Sequence, residues 1–253
     1  MGAPTAINGP EGRPHLSRRL LAEFIGSAFL ALAVVGSGIA AERLSPGQAG
    51  LELLENAAAT AAALFAIILM VGGVSGGHLN PVVSVVDAAF GGIAWRDCAG
   101  YICVQVAGCV SGAILANAMF GLAAVSVAQH SRASFAHWLS EVIATFGLLL
   151  LVFALARSHR TQRTPAAVGA YIGAAYLFTS STSFANPAIT VARMLSNTFA
   201  GIDPVSVPGF VAAQAVGALL AFCTIRRLYP GIDLVADDVV VPATANGSPS
   251  GHS

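Results

Sequence analysis

The chain of 253 residues is 56% hydrophobic and only 9% charged, which excludes an ordinary water-soluble domain. Its mean hydropathy of +0.76 is that of an integral membrane protein. Twelve arginines balance twelve acidic residues and no lysine is present, so no charge excess favours nucleic acid or a polyanionic substrate.

Apolar runs able to cross a hydrocarbon core of about 30 Å lie near Arg19–Ala41, Leu53–Val71, Ala99–Phe120, His137–Ala156, Pro165–Thr179 and Val205–Arg226. They predict six spans. The first run follows Ser17-Arg18-Arg19 in the manner of a secretion signal, but Glu23 sits inside it and five more runs follow. It is therefore read as an uncleaved first helix. Arg13, Arg18, Arg19, Arg96, Arg157, Arg160, Arg163, Arg226 and Arg227 fall on one side of this arrangement, against Arg43, Arg132 and Arg193 on the other. The positive-inside rule then predicts both termini in the cytoplasm of a multi-pass protein of the cell membrane. Residues 1–16 and 230–253 lack apolar periodicity and are expected to be tails, leaving 17–229 as a single membrane domain.

Two Asn-Pro pairs interrupt this pattern. Asn80-Pro81-Val82 and Asn186-Pro187-Ala188 each read as an N-cap followed by the first turn of a helix, because proline lacks a donor and is favoured at that position. Each helix therefore starts inside the bilayer. Irregular backbone at that depth is tolerated only where protein buries it or water reaches it, which points to a polar cavity or pore.

An internal repeat accounts for the pair. Leu21-Ala22-Glu23-Phe24-Ile25-Gly26-Ser27 parallels Leu139-Ser140-Glu141-Val142-Ile143-Ala144-Thr145, and Gln105-Val106-Ala107-Gly108 parallels Gln214-Ala215-Val216-Gly217. With three spans per half, about 17–120 and 136–229, the second half enters from the opposite side, giving an inverted repeat. The expected fold is all-α: six transmembrane helices plus two re-entrant half-helices of about ten residues, each roughly 15 Å long, facing each other N-terminus to N-terminus.

From Ser17 to Tyr229 the pattern resembles the major intrinsic protein family, the aquaporins and aquaglyceroporins. Gly73-Val74-Ser75-Gly76-Gly77-His78-Leu79-Asn80-Pro81 is especially close to the family's first re-entrant loop. The resemblance implies a homotetramer with one pore per protomer in the lipid bilayer, and no cofactor.

Two half-helix N-termini bring unsatisfied N–H groups and the positive ends of two dipoles to one point, and Asn80 and Asn186 add amide donors. That point repels cations, while a small neutral solute with lone pairs accepts bonds there as it slides along an apolar wall. Glu23 and Glu141, matched across the repeat, are expected to accept hydrogen bonds from the irregular backbone before each half-helix, as the resemblance also implies; a transport role is the alternative. His78 is expected to brace the first loop, and Gln105 and Gln214 to join helices. Glycines such as Gly108, Gly112, Gly169 and Gly217 allow close helix contacts. Cys98, Cys103, Cys109 and Cys223 have neither metal-ligand nor disulfide spacing and read as buried small residues. No nucleophile–base pair, phosphate loop or metal cluster supports an enzyme.

The chain departs from its family at the selectivity filter. Many aquaporins carry Arg directly after the second Asn-Pro-Ala; here Ile189 stands there. Gapless counting places the other filter positions at Thr60, Ala174 and Ser183, where water-selective relatives have an aromatic at the first and a histidine at the second. A ring of Thr60, Ala174, Ser183 and Ile189 is wider and less polar, which favours glycerol- or urea-like solutes and metalloid hydroxides such as arsenite, with water also possible. Val82 replaces the usual Ala of the first motif. Arg193 lies four residues beyond Ile189, on nearly the same helix face. It either snorkels at the end of the half-helix or stands in for the missing charge in the outer vestibule. Asp87 is its counterpart after Asn80. Broken helices in an inverted repeat also occur in proton- or ion-coupled secondary transporters, the main alternative, and an ion channel is a third option.

Overall fold

A computed structural model describes residues 13–158 and 160–230, whose regular structure is helical. The sequence-expected tails at 1–16 and 230–253 lie almost entirely outside the described residues. The α-helices are α1 (Leu16–Leu44), α2 (Ala49–Ser75), α3 (Pro81–Phe90), α4 (Trp95–Met119), α5 (Phe135–Arg157), α6 (Thr164–Phe178), α7 (Pro187–Arg193) and α8 (Val207–Leu228). Five of them, α1, α2, α4, α5 and α8 with the 3₁₀ turn before it, are long and apolar enough to cross a membrane. The remaining expected span, α6, has only 15 residues, about 22 Å at the helical rise, and follows a 3₁₀ turn over Thr161–Arg163. The half-helices differ too: α3 has the expected ten residues, whereas α7 stops after seven.

Packing follows the repeat. Helix α1 lies against α4 and α2, and α5 against α8 and α6, with α2 and α6 closing the bundle between the halves. Close approach is possible because the contacts fall on glycine. A Cβ on Gly112 of α4 would collide with the Ala28 carbonyl of α1, and one on Gly217 of α8 would lie 2.5 Å from the Val142 carbonyl of α5. Small residues let backbones meet where lipid supplies no hydrophobic drive for helix association. Leucines and phenylalanines such as Leu69, Phe29 and Leu219 instead point outward, as expected of a lipid-facing surface.

The cysteines divide. Cys98 and Cys109 are buried, but Cys103 and Cys223 are exposed, contrary to the expectation that all four fill the interior. Both lie on outward faces of α4 and α8, where a small apolar side chain meets lipid as readily as protein.

Candidate functional site: the meeting of two half-helices

Each half-helix is started by its asparagine. Asn80 and Asn186 have extended backbone, and proline follows at the first helical position. The Asn80 Oδ1 accepts from Val82 N at 3.1 Å, and the Asn186 Oδ1 accepts from Ala188 N at 3.0 Å and Ile189 N at 3.3 Å. The amide nitrogens reach across the midline. Asn80 Nδ2 donates to the Ala185 carbonyl at 2.8 Å, and Asn186 Nδ2 donates to the Leu79 carbonyl at 2.7 Å. Each amide thus has one N–H committed to the opposite loop and one left over. Both asparagines line a single narrow cavity with a void of about 60 Å³.

The carbonyls that receive these bonds are aimed by unusual backbone. Leu79 (φ 53°) and Ala185 (φ 47°) both adopt the left-handed region, disfavoured for residues with a Cβ. Two buried glutamates hold the loops in that shape. Glu23 Oε1 accepts from Ser75 Oγ at 2.6 Å and His78 N at 2.9 Å, and its Oε2 from Leu79 N at 2.7 Å and Gln105 Nε2 at 2.8 Å. Glu141 repeats the set: Ser181 Oγ at 2.6 Å and Phe184 N at 2.9 Å on Oε1, Ala185 N at 2.8 Å and Gln214 Nε2 at 2.6 Å on Oε2. The glutamines complete each half, Gln105 donating to Ser84 Oγ at 3.0 Å and Gln214 to Thr190 Oγ1 at 2.9 Å. Four donors surround each carboxyl, so neither is placed to face the cavity. His78 braces its loop through Ser84, Nδ1 to Oγ 3.0 Å, and lines the cavity as well. Pro81, Val82 and Pro187 lie behind the asparagines, lining an apolar recess between α3 and α8 rather than the cavity.

At the α7 end of the cavity the lining includes Thr60, Tyr176, Ser183, Phe184, Ile189 and Arg193. Of the four counted positions, Thr60, Ser183 and Ile189 line this cavity. Ala174 does not: it is exposed on the outward face of α6, and the residues of that helix that line the cavity are Val168, Ile172 and Tyr176. Two residues on a helix differ by about 200° in direction, so a two-residue error in a gapless count reverses the face. Tyr176 is buried and its hydroxyl lies 3.4 Å from Thr60 Oγ1. This side of the cavity is therefore aromatic and hydroxyl-bearing, bulkier than an alanine would make it.

Arg193 is not snorkelled. It is 2% exposed, its Nε donates to the Ala200 carbonyl, and its guanidinium carbon lies 3.5 Å from the centroid of the Phe184 ring. Arg132, from the segment between α4 and α5, supports this end of the cavity without lining it, and sequence reading counted it only as a flanking charge. Its Nε donates to Gly201 O at 3.1 Å and its Nη1 to Ser181 O at 3.3 Å, tying the loops on either side of α7 together, and it also stands over Phe184. Nothing in the local sequence around Arg132 marks that long-range role.

The profile of the family described as major intrinsic protein matches residues 12–185, well over half of the chain. The chain belongs to the major intrinsic protein family. It is 47% identical over 213 residues to "Aquaglyceroporin AqpS" of Rhizobium meliloti, covering 84% of this chain and 91% of that protein. It is 29% identical over 225 residues to "Aquaporin NIP6-1" of Arabidopsis thaliana, covering 86% and 70% of the two chains. The X-ray structure of the aquaglyceroporin from Plasmodium falciparum superposes with a TM-score of 0.65 at 18% identity, over 87% of this chain and all of that one. The aquaporin-like α-helical fold is thereby established, and with the family comes its mode of action. The chain is a passive membrane channel for small solutes and not an enzyme; a coupled transporter is not favoured.

Proposed function

We propose that the solutes are small and uncharged, and that they cross between the two half-helices past Asn80 and Asn186. The observation that carries this reading is the reciprocal amide bonding of those asparagines at one narrow cavity, which leaves a spare N–H on each. Two helix starts and two amide donors meet a solute with positive partial charge from both sides, so lone-pair acceptors pass and cations do not. Glu23 and Glu141 are scaffold, because four donors already surround each of them.

Thr60, Tyr176, Ser183 and Ile189 form the filter of this pathway. With isoleucine in place of a filter arginine, one wall offers carbon contact to solutes that carry little hydration. Glycerol, urea and undissociated metalloid hydroxides such as arsenite are the substrates, with water passing as well. The repeat halves are 17–120 and 136–229; the protein sits in the cell membrane as a homotetramer with both termini on the cytoplasmic side.

Purified protein in liposomes, followed by light scattering under gradients of water, glycerol, urea and trivalent arsenic hydroxide, tests the assignment. Flux of at least one of the three larger solutes above that of empty liposomes is expected. Water flux alone would overturn the substrate assignment.

A further inference from the structure

The repeat that relates the two half-helices extends to their far ends, with a change of charge. A shift of 106 residues carries Asn80 to Asn186, His78 to Phe184 and Asp87 to Arg193. In the first half, the residue seven past the asparagine folds back onto the residue two before it: Asp87 Oδ2 lies 3.6 Å from His78 Nε2. The second half keeps the same fold-back, with Arg193 over Phe184. The direction of the Arg193 side chain is thus set by a feature of the fold that both halves share.

At the α7 end of the cavity, hydrogen-bonding capacity is left unspent. Arg193 is among the largest fully buried side chains, yet its Nη1 has no hydrogen-bond partner among the described residues, and the same holds for Ser183 Oγ. Both residues line the cavity, beside the Thr60–Tyr176 hydroxyl pair. A buried guanidinium donor left unmade is costly unless something supplies an acceptor. Ile189, in the first turn of α7, carries no charge that could play this part.

We propose that Arg193 is the charged selectivity group of the α7-side mouth, acting from the second turn of its half-helix with its guanidinium offered to passing solute oxygens. The Phe184 ring and the Ala200 carbonyl hold the guanidinium in place, so the positive charge is fixed rather than mobile. A fixed charge there repels cations before they meet the asparagines, and its uncommitted N–H donors favour solutes that bring an acceptor oxygen. Ile189 opposite in chemistry supplies carbon contact. This inference rests on the channel reading above and adds the residue that ranks the solutes.

The test uses Arg193→Met and Arg193→Lys in proteoliposomes, with glycerol and water permeability and potassium leak measured on the same preparations. Met keeps length while removing the donor and the charge. The glycerol-to-water ratio should rise about tenfold, the scale of one charge-assisted hydrogen bond, because both solutes lose the donor while only glycerol has a carbon face for the methionine to contact, and potassium leak should become measurable. Lys retains the charge and should stay ion-tight. Should Arg193→Met fail to insert, Phe184→Leu removes the seat of the guanidinium while keeping its charge, and the same ratio should shift. An unchanged ratio with no leak, in whichever of Arg193→Met and Phe184→Leu inserts and matches the parent's melting temperature, overturns the proposal. A parent protein that moves none of the solutes would overturn the channel reading instead, so the two failures are distinct.

Discussion

The hydroxyl of Tyr176 stands 3.4 Å from Thr60 Oγ1, bringing α6 and α2 together across the cavity where a residue on the opposite face of α6, Ala174, does not reach. The cavity wall there is therefore partly aromatic. Tyr176→Ala should raise glycerol flux severalfold relative to water, while Ala174→Phe, on the outward face, should leave the ratio of the two unchanged. Light scattering on both variants separates the two positions, and a ratio that moves with Ala174→Phe alone would remove Tyr176 from the pathway.

Ile189 makes the opposite change available. Ile189→Arg introduces a bulky, always-protonated donor into the cavity lining. Glycerol and arsenical flux should fall by a larger factor than water flux, and Thr60→Phe should act the same way through size. Equal loss of every solute in correctly inserted protein would indicate simple blockage, and an unchanged ranking would take Ile189 out of the filter.

The glutamates should matter to folding and not to coupling. Glu141→Gln turns one of two acceptor oxygens into a donor facing the Ala185 and Gln214 N–H groups, at a cost of about 2–3 kcal/mol. Glu23→Gln should cost a similar amount through Leu79 and Gln105. Both variants should melt earlier in detergent. Whatever protein folds should still equilibrate solute at a rate unaffected by dissipating a proton gradient; gradient-dependent uptake in the parent, lost in these variants, would assign them to transport.

Thiol chemistry offers an independent map. Cys98 and Cys109 are buried in helix packing, Cys103 and Cys223 face outward, and none lines the cavity. Mercurials at doses that label accessible thiols should leave parent flux intact, and Ser183→Cys should make it sensitive. Inhibition of the parent would require one of the four native cysteines to reach the pathway.

Much of this was legible in the sequence because the repeat states it twice. Glu23 and Glu141, Gln105 and Gln214, and the two Asn-Pro pairs stand at matching places, and each pair makes matching bonds. What escaped was information carried by angle or by distant contact. Ala174 and Tyr176 are neighbours in sequence but point to opposite sides of a helix, and no local pattern tells which faces inward. Arg193 on a seven-residue helix could reach solvent or turn inward; the choice depends on Phe184 and Ala200, residues of two different loops. Arg132 joins three segments, a role that only the closed bundle defines.

Passage of solute between Asn80 and Asn186 would put the Asn186 amide directly in the path. Asn186→Asp exchanges the amide that donates to Leu79 O for an acceptor-only carboxylate at the meeting of two positive helix ends. Permeability of Asn186→Asp to glycerol and water, measured alongside potassium leak in proteoliposomes of verified fold, is the decisive quantity. Neutral-solute flux should drop at least about tenfold, the scale of one charge-assisted contact, and leak should rise. Parent-level flux with no leak in folded protein would contradict a pore that runs past Asn186.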